Sequence, residues 1–305
     1  MSTKNTVTIT IVNGEYSLTI GAGQECDFTK PVEGLETSEI TNRTTDLALV
    51  DGSSWDGTKL KARPIHIEAG FRSTVNNASN RQRLIKLFNP KNQTTLTIES
   101  FGATRQIDCM IEGWNLAKVT NNDNAVKFVV DFIAPNPYMK SITNFGKNMA
   151  TILPQFAFPW RVLASEQPDL ANYPEESRGL MLGGMITGYQ LVSAAVSLPN
   201  DGDVPCGLQV KIVAKGAVTN PKILNGEGEY IRIVTALESG DELLIDTEPR
   251  KQRITLNGVN IFNRIDRTST LFQMAPGDNH LAYEADSGQV NMNVFLYYTP
   301  LYLGV

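Results

Sequence analysis

Histidine occurs twice and cysteine three times in this chain of 305 residues, and these scarcities already exclude a good deal. His66 and His280 each sit on the polar side of an alternating run, which reads as surface placement and leaves no Ser/His/Asp or Cys/His set in view. Cys26, Cys109 and Cys206 are an odd number, widely spaced, with no C-x-x-C pair. They predict reduced thiols, neither a disulfide framework nor a zinc site. Runs of apolar residues long enough to span a membrane, about 20 residues, are lacking. The opening M-S-T-K-N-T-V-T-I-T-I has no apolar core, so no secretory signal is expected. Basic charge is also short. Up to Lys140 there are 15 Lys/Arg against 15 Asp/Glu, and beyond it 12 against 17. Neither half can grip a phosphate backbone, so no specific nucleic-acid binding is expected.

What the chain does have is alternation. Val126, Phe128, Val130 and Phe132 alternate with Lys127, Val129, Asp131 and Ile133, the period-2 pattern of a strand. Pro135 and Pro137 end it, since proline lacks the N–H and pushes its predecessor away from helical geometry. This strand divides the reading into 1–140 and 141–305. Before it, Val7–Val12 and Tyr16–Ile20 flank Asn13-Gly14 and predict a hairpin. Strands are also expected at Arg63–Phe71, Thr94–Glu99 and Ile107–Trp114. One helix follows Ser79 as its N-cap, buries Leu84, Leu87 and Phe88, and stops at Asn89-Pro90.

After the hinge, strands are expected at Gln190–Leu198, Leu208–Lys215, Tyr230–Thr235, Glu242–Asp246, Arg253–Asn257 and Val290–Tyr298. Gly, Pro, Asn and Asp clusters punctuate them. The reading is mainly β: a sandwich-like first domain with one helix, then a jelly-roll-like sandwich. Phe156, Phe158 and Trp160 in Q-F-A-F-P-W are expected to seat one edge of the second core.

No motif carries chemistry. Asp201-Gly202-Asp203 and Asp241-Glu242 lack the spacing of a calcium loop and read as turns. Gly21-Ala22-Gly23 and Gly226-Glu227-Gly228 lack the following helix of a phosphate loop. No catalytic, metal or cofactor-binding residue is assigned. The segment 21–63 is different. It is polar and turn-rich, yet keeps Leu35, Ile40, Leu47, Leu49 and Trp55 without a core period. Either it forms irregular edge strands, or it is an arm laid on a neighbouring subunit, with those five residues at the interface.

The order of motifs resembles the distal tail proteins of long-tailed, non-contractile bacteriophages. N-G-E-Y-S-L in the first hairpin, E-G-L-E, K-A-R-P-I, L-F-N-P and F-I-A-P-N-P-Y come first. F-A-F-P-W, G-E-Y-I, S-G-D-E-L-L-I-D-T, I-T-L-N-G and M-A-P-G-D-N-H-L-A-Y follow. The resemblance implies a ring-forming first domain, a galectin-like second domain and a structural, non-enzymatic role without cofactors. It implies a homo-hexameric hub at the tail tip of the virion, assembled in the host cytoplasm, through which DNA passes. Its partners would be the tail tube protein, a tail-associated hub or lysin protein and receptor-binding proteins. Other readings are a different baseplate component, a carbohydrate-binding protein acting through the second sandwich, or a glycan hydrolase.

Overall fold

The computed structural model describes residues 6–46, 51–116, 126–143, 145–149 and 195–305. The Q-F-A-F-P-W stretch and residues 190–194 of an expected strand lie outside these.

The chain opens as a hairpin of β1 (Thr8–Asn13) and β2 (Tyr16–Gly21). Its turn is one residue later than the sequence suggests. Asn13 closes the ladder opposite Tyr16, and Gly14 and Glu15 form the loop. Gly14 takes φ 61°, the left-handed value that glycine adopts without steric cost at the first central position. Asn13 is buried, and its amide donates to Asn89 O at 3.0 Å and Thr94 Oγ1 at 3.1 Å. A polar core contact therefore claims the side chain that resembled a turn former.

Next come β3 (Cys26–Phe28), the pair β4 (Ile40–Asp46) and β5 (Ser53–Leu60), and β6 (Arg63–Phe71). Helix α1 (Asn77–Leu87) precedes β7 (Thr94–Ser100), β8 (Ala103–Leu116) and β9 (Lys127–Ala134). Strand order β8-β7-β1-β2-β3-β6-β9 returns to β8, so the sheet closes on itself. The length of β8 allows this. Residues up to Cys109 pair with β7, and those from Met110 pair with β9 across a bulge between Ile111 and Gly113. Such a bulge bends a strand and sharpens its twist. The hinge strand supplies Phe128, Val130, Phe132 and Ala134 to the interior, opposite Ile65 and Ile67 of β6.

Helix α1 plugs this closed sheet with Leu84 and Leu87, followed by Phe88, which sits 5.4 Å from Phe128 and 5.6 Å from Trp114 between ring centroids. Each such side chain contributes about 1.5–3 kcal/mol on leaving water. The helix begins earlier than expected. Asn76, at φ 68°, is the N-cap, and Ser79 lies in the first turn. Asparagine tolerates the left-handed conformation, which lets the chain turn into the helix three residues sooner.

The remaining strands are β10 (Met139–Ser141), β11 (Phe145–Asn148), β12 (Ala195–Asn200), β13 (Leu208–Ala214), β14 (Val218–Asn225) and β15 (Tyr230–Arg232). They continue as β16 (Ala236–Leu237), β17 (Glu242–Asp246), β18 (Arg253–Leu256), β19 (Val259–Asn260), β20 (Gly277–Ser287), β21 (Met292–Tyr298) and β22 (Leu301–Tyr302). Two antiparallel sheets result, β11-β21-β13-β17-β18-β19 and β12-β20-β14-β15, with β16 on β14. Val210, Ile212, Val294 and Leu296 of the first share a second hydrophobic core with Ile223, Leu281 and Tyr283 of the other. β22 leaves this sandwich and pairs with β10, which pairs with β8 of the barrel.

Candidate subunit interface

The pair β4–β5 makes a hairpin whose residues are exposed almost throughout. Its base is closed by Lys61 N donating to Glu39 O at 2.9 Å and by the Lys61–Glu39 ion pair at 3.0 Å. Along its length the side-chain bonds are internal. Trp55 Nε1 donates to Thr58 Oγ1 at 3.2 Å, and Thr58 donates to Asn42 Oδ1 at 2.8 Å. The register shifts between Arg43 and Thr44, where Asp56 is the extra residue facing them. An isolated two-stranded hairpin is marginal in water, and an apolar face or a packing partner is what makes one persist.

The five residues singled out from the sequence separate here. Trp55 is 67% exposed and Ile40 55%. Leu35 packs partly buried against the barrel core and also lines a groove there. Leu47 and Leu49 lie outside the described residues. Immediately before the hairpin, residues 33–37 line an open groove of about 610 Å³. Val7, Phe28, Val32, Leu35, Phe101 and Val305 give it apolar walls, with Lys30, Glu33 and Glu36 at its rim.

Phe101 has no counterpart in the sequence reading. It occupies the tip of the β7–β8 hairpin at φ 49°, 73% exposed. A bulky side chain in the left-handed region is uncommon and costs on the order of 1 kcal/mol or more. Phe101-Gly102, between Ser100 and Ala103, was the available signal: a two-residue hairpin loop with an aromatic where a polar residue is usual.

The titratable groups nearby serve structure. His66 Nδ1 lies 2.5 Å from Asp131 Oδ1, and its Nε2 lies 3.3 Å from Glu68 Oε1. The hydrogen bond to Asp131 raises the imidazole pKa, partial burial opposes this, and Glu68 adds to the rise. Glu68 also pairs with Lys30 at 2.8 Å. Burial pushes the Cys26 and Cys109 thiols up to about 12 and Cys206 to about 11. Such thiols are poor nucleophiles, and all three are free. Among the described residues no three His, Cys, Asp or Glu side chains gather to hold a metal ion. Asp241 accepts from Glu238 N and Asn257 Nδ2, both at 2.8 Å, and so closes a turn.

Barrel, sandwich and free hairpin together define a mainly β structural protein with two hydrophobic cores. A family model described as a phage tail protein RIFT-related domain matches residues 14–134, and one described as a siphovirus-type tail component, C-terminal domain, matches residues 201–302. The chain belongs to the distal tail protein family of siphophages and is a structural component of the phage tail. Its fold is similar to the crystal structure of SPP1 Dit (gp 19.1), described as a paradigm of the hub adsorption apparatus in phages infecting Gram-positive hosts. The identity is 14%, 97% of this chain and 99% of that chain are covered, and the TM-score is 0.63. It is also similar to a chain of the phage P2 baseplate in its activated conformation with Ca, at 12% identity, 96% and 98% coverage and a TM-score of 0.50. No curated protein matches the chain.

Proposed function

We propose that the chain forms a homo-hexameric ring, a hub at the tail tip of the virion. In this reading the β4–β5 hairpin of each subunit is an arm laid into the next subunit's groove beside Phe101. The observation that carries it is the arm itself: a hairpin without a core, presenting Trp55 and Ile40 to water. Exposed apolar groups on an extended element favour burial against a complementary surface. A head-to-tail contact of this kind repeats until the rotation closes.

Residues 1–140 would supply the ring and residues 141–305 the sandwich that carries host-recognition proteins. The tail tube protein and a tail-associated hub or lysin protein would bind the two faces of the ring, and assembly would occur in the bacterial cytoplasm. The first half has balanced charge and the second is acidic. A lumen without excess positive charge does not retain a passing polyanion, which suits a DNA conduit. The role is structural, with no catalysis and no cofactor. Negative-stain images of the purified full chain test this. Six-fold rings with a central opening are expected, and compact particles without a closed ring contradict it.

A further inference from the structure

Arg63, the first residue of β6, is fully buried and bonded to backbone carbonyls from three separate stretches of chain. Nε donates to Pro137 O at 2.8 Å, and Nη1 to Gly34 O at 3.0 Å and Leu35 O at 3.2 Å. Nη2 donates to Leu303 O. These are the exit from the barrel, the root of the β4–β5 hairpin, and the segment 301–305. A buried guanidinium is costly unless its donors are satisfied, so this cation holds the three stretches in one arrangement.

The segment 301–305 is gripped from both sides. Leu301 and Tyr302 pair with Lys140 and Met139 of β10, and the Arg105 guanidinium lies 3.4 Å above the Tyr302 ring centroid. On the sandwich side, Val204 bridges to Leu301, Asp203 N donates to Leu301 O at 2.8 Å, and Leu303 N donates to Asp203 Oδ2 at 2.9 Å. Gly304 then passes so close to the hairpin root that a Cβ there would lie 2.1 Å from Glu36 O. Gly34 makes a matching approach: its Cβ would lie 2.0 Å from Pro64 O. Val305 reaches the barrel core and the groove beside the root.

We propose that residues 301–305 act as a strap coupling the sandwich to the root of the arm, with Arg63 as its fastening. Rotation of the sandwich relative to the barrel then repositions residues 33–39 and the hairpin they carry. Energetic coupling travels through such contiguous packed and hydrogen-bonded contacts, and it is reciprocal. Its consequence for assembly rests on the arm reading, whereas the coupling itself does not.

Hydrogen exchange on the full chain carrying Ile40→Ser and Trp55→Ser, which removes any protection from assembly, tests it. Adding Gly304→Ala drives a Cβ into Glu36 O, and adding Arg63→Lys separately keeps charge but loses the fork. Each is expected to speed exchange at Glu33, His66 and Lys61, whose amides are bonded across the root, by roughly tenfold, as a local loosening of ~1.4 kcal/mol gives, with β7, β13 and β21 unchanged. In the reverse direction, Gly34→Ala should speed exchange in residues 301–303. Unchanged exchange at the root in both variants overturns the proposal. So does an equal rise throughout the barrel, which would make Arg63 and Gly304 ordinary supports of the fold.

Discussion

Single side chains in this protein do more to fix backbone than to offer chemistry, and His66 shows how pH reaches them. Its pKa is raised above the ordinary 6.5, first by the Asp131 carboxylate. The stability it adds is therefore fully present below about pH 6.5, where the imidazole is charged in both folded and unfolded chains. It is lost as pH rises through the higher folded-state value. His66→Gln should leave a smaller fall in melting temperature between about pH 6 and about pH 8.5 than the parent shows. An equal fall in both proteins would assign the pH dependence to other groups. The thiols give a second check. With Cys26, Cys109 and Cys206 buried and their pKa values pushed up, a disulfide thiol reagent should label none of the three in the native protein. All should label once denaturant is added, and rapid labelling beforehand would mean the cores open readily.

At the scale of elements, helix α1 rests on two side chains. Leu84→Ala should cost about 2–5 kcal/mol in urea unfolding, because Leu84 is fully buried and leaves a cavity. Ile85→Ala, on the exposed side, should stay within about 0.5 kcal/mol. A similar loss from both would mean the helix carries little of the core. The buried strands were the most legible parts of the sequence, since β9 alternates cleanly and the interior residues of β6 after Arg63 are Ile65, Ile67, Ala69, Gly70 and Phe71. Expected Arg63–Phe71 and Glu242–Asp246 agree with β6 and β17. Elsewhere, tertiary contacts overrode local signals. Asn13 left the turn for Asn89 and Thr94, and Asn220-Pro221 lies inside β14 opposite β20 rather than in a loop. β20 itself, Gly277–Ser287, went unread. Its Gly-Asp-Asn opening looks like a turn, and apolar Leu281 and Tyr283 supply too short an alternation to declare a strand.

At the scale of the whole molecule, the candidate interface was only partly readable. Apolar residues without a period in 21–63 pointed to an unpartnered segment, and the free hairpin now gives Ile40 and Trp55 that position. Leu35 could not be told from them by sequence, because what pulls it inward is the barrel core it packs against. Of the groove, only Leu35 was singled out in the sequence. Its walls come from Val7, Phe28, Phe101 and Val305, which are far apart in the chain and meet only once the sheet closes and 301–305 returns to it. In the proposed ring, arm and groove on one subunit would make the contact heterologous, so that assembly either closes or grows without limit. Mass photometry of the full chain beside its Ile40→Ser, Trp55→Ser variant measures this most directly. A single species at six times the subunit mass for the parent and a folded monomer for the variant are predicted. A monomeric parent at micromolar concentration, or a variant that still closes into the same hexamer, would contradict an arm-built ring.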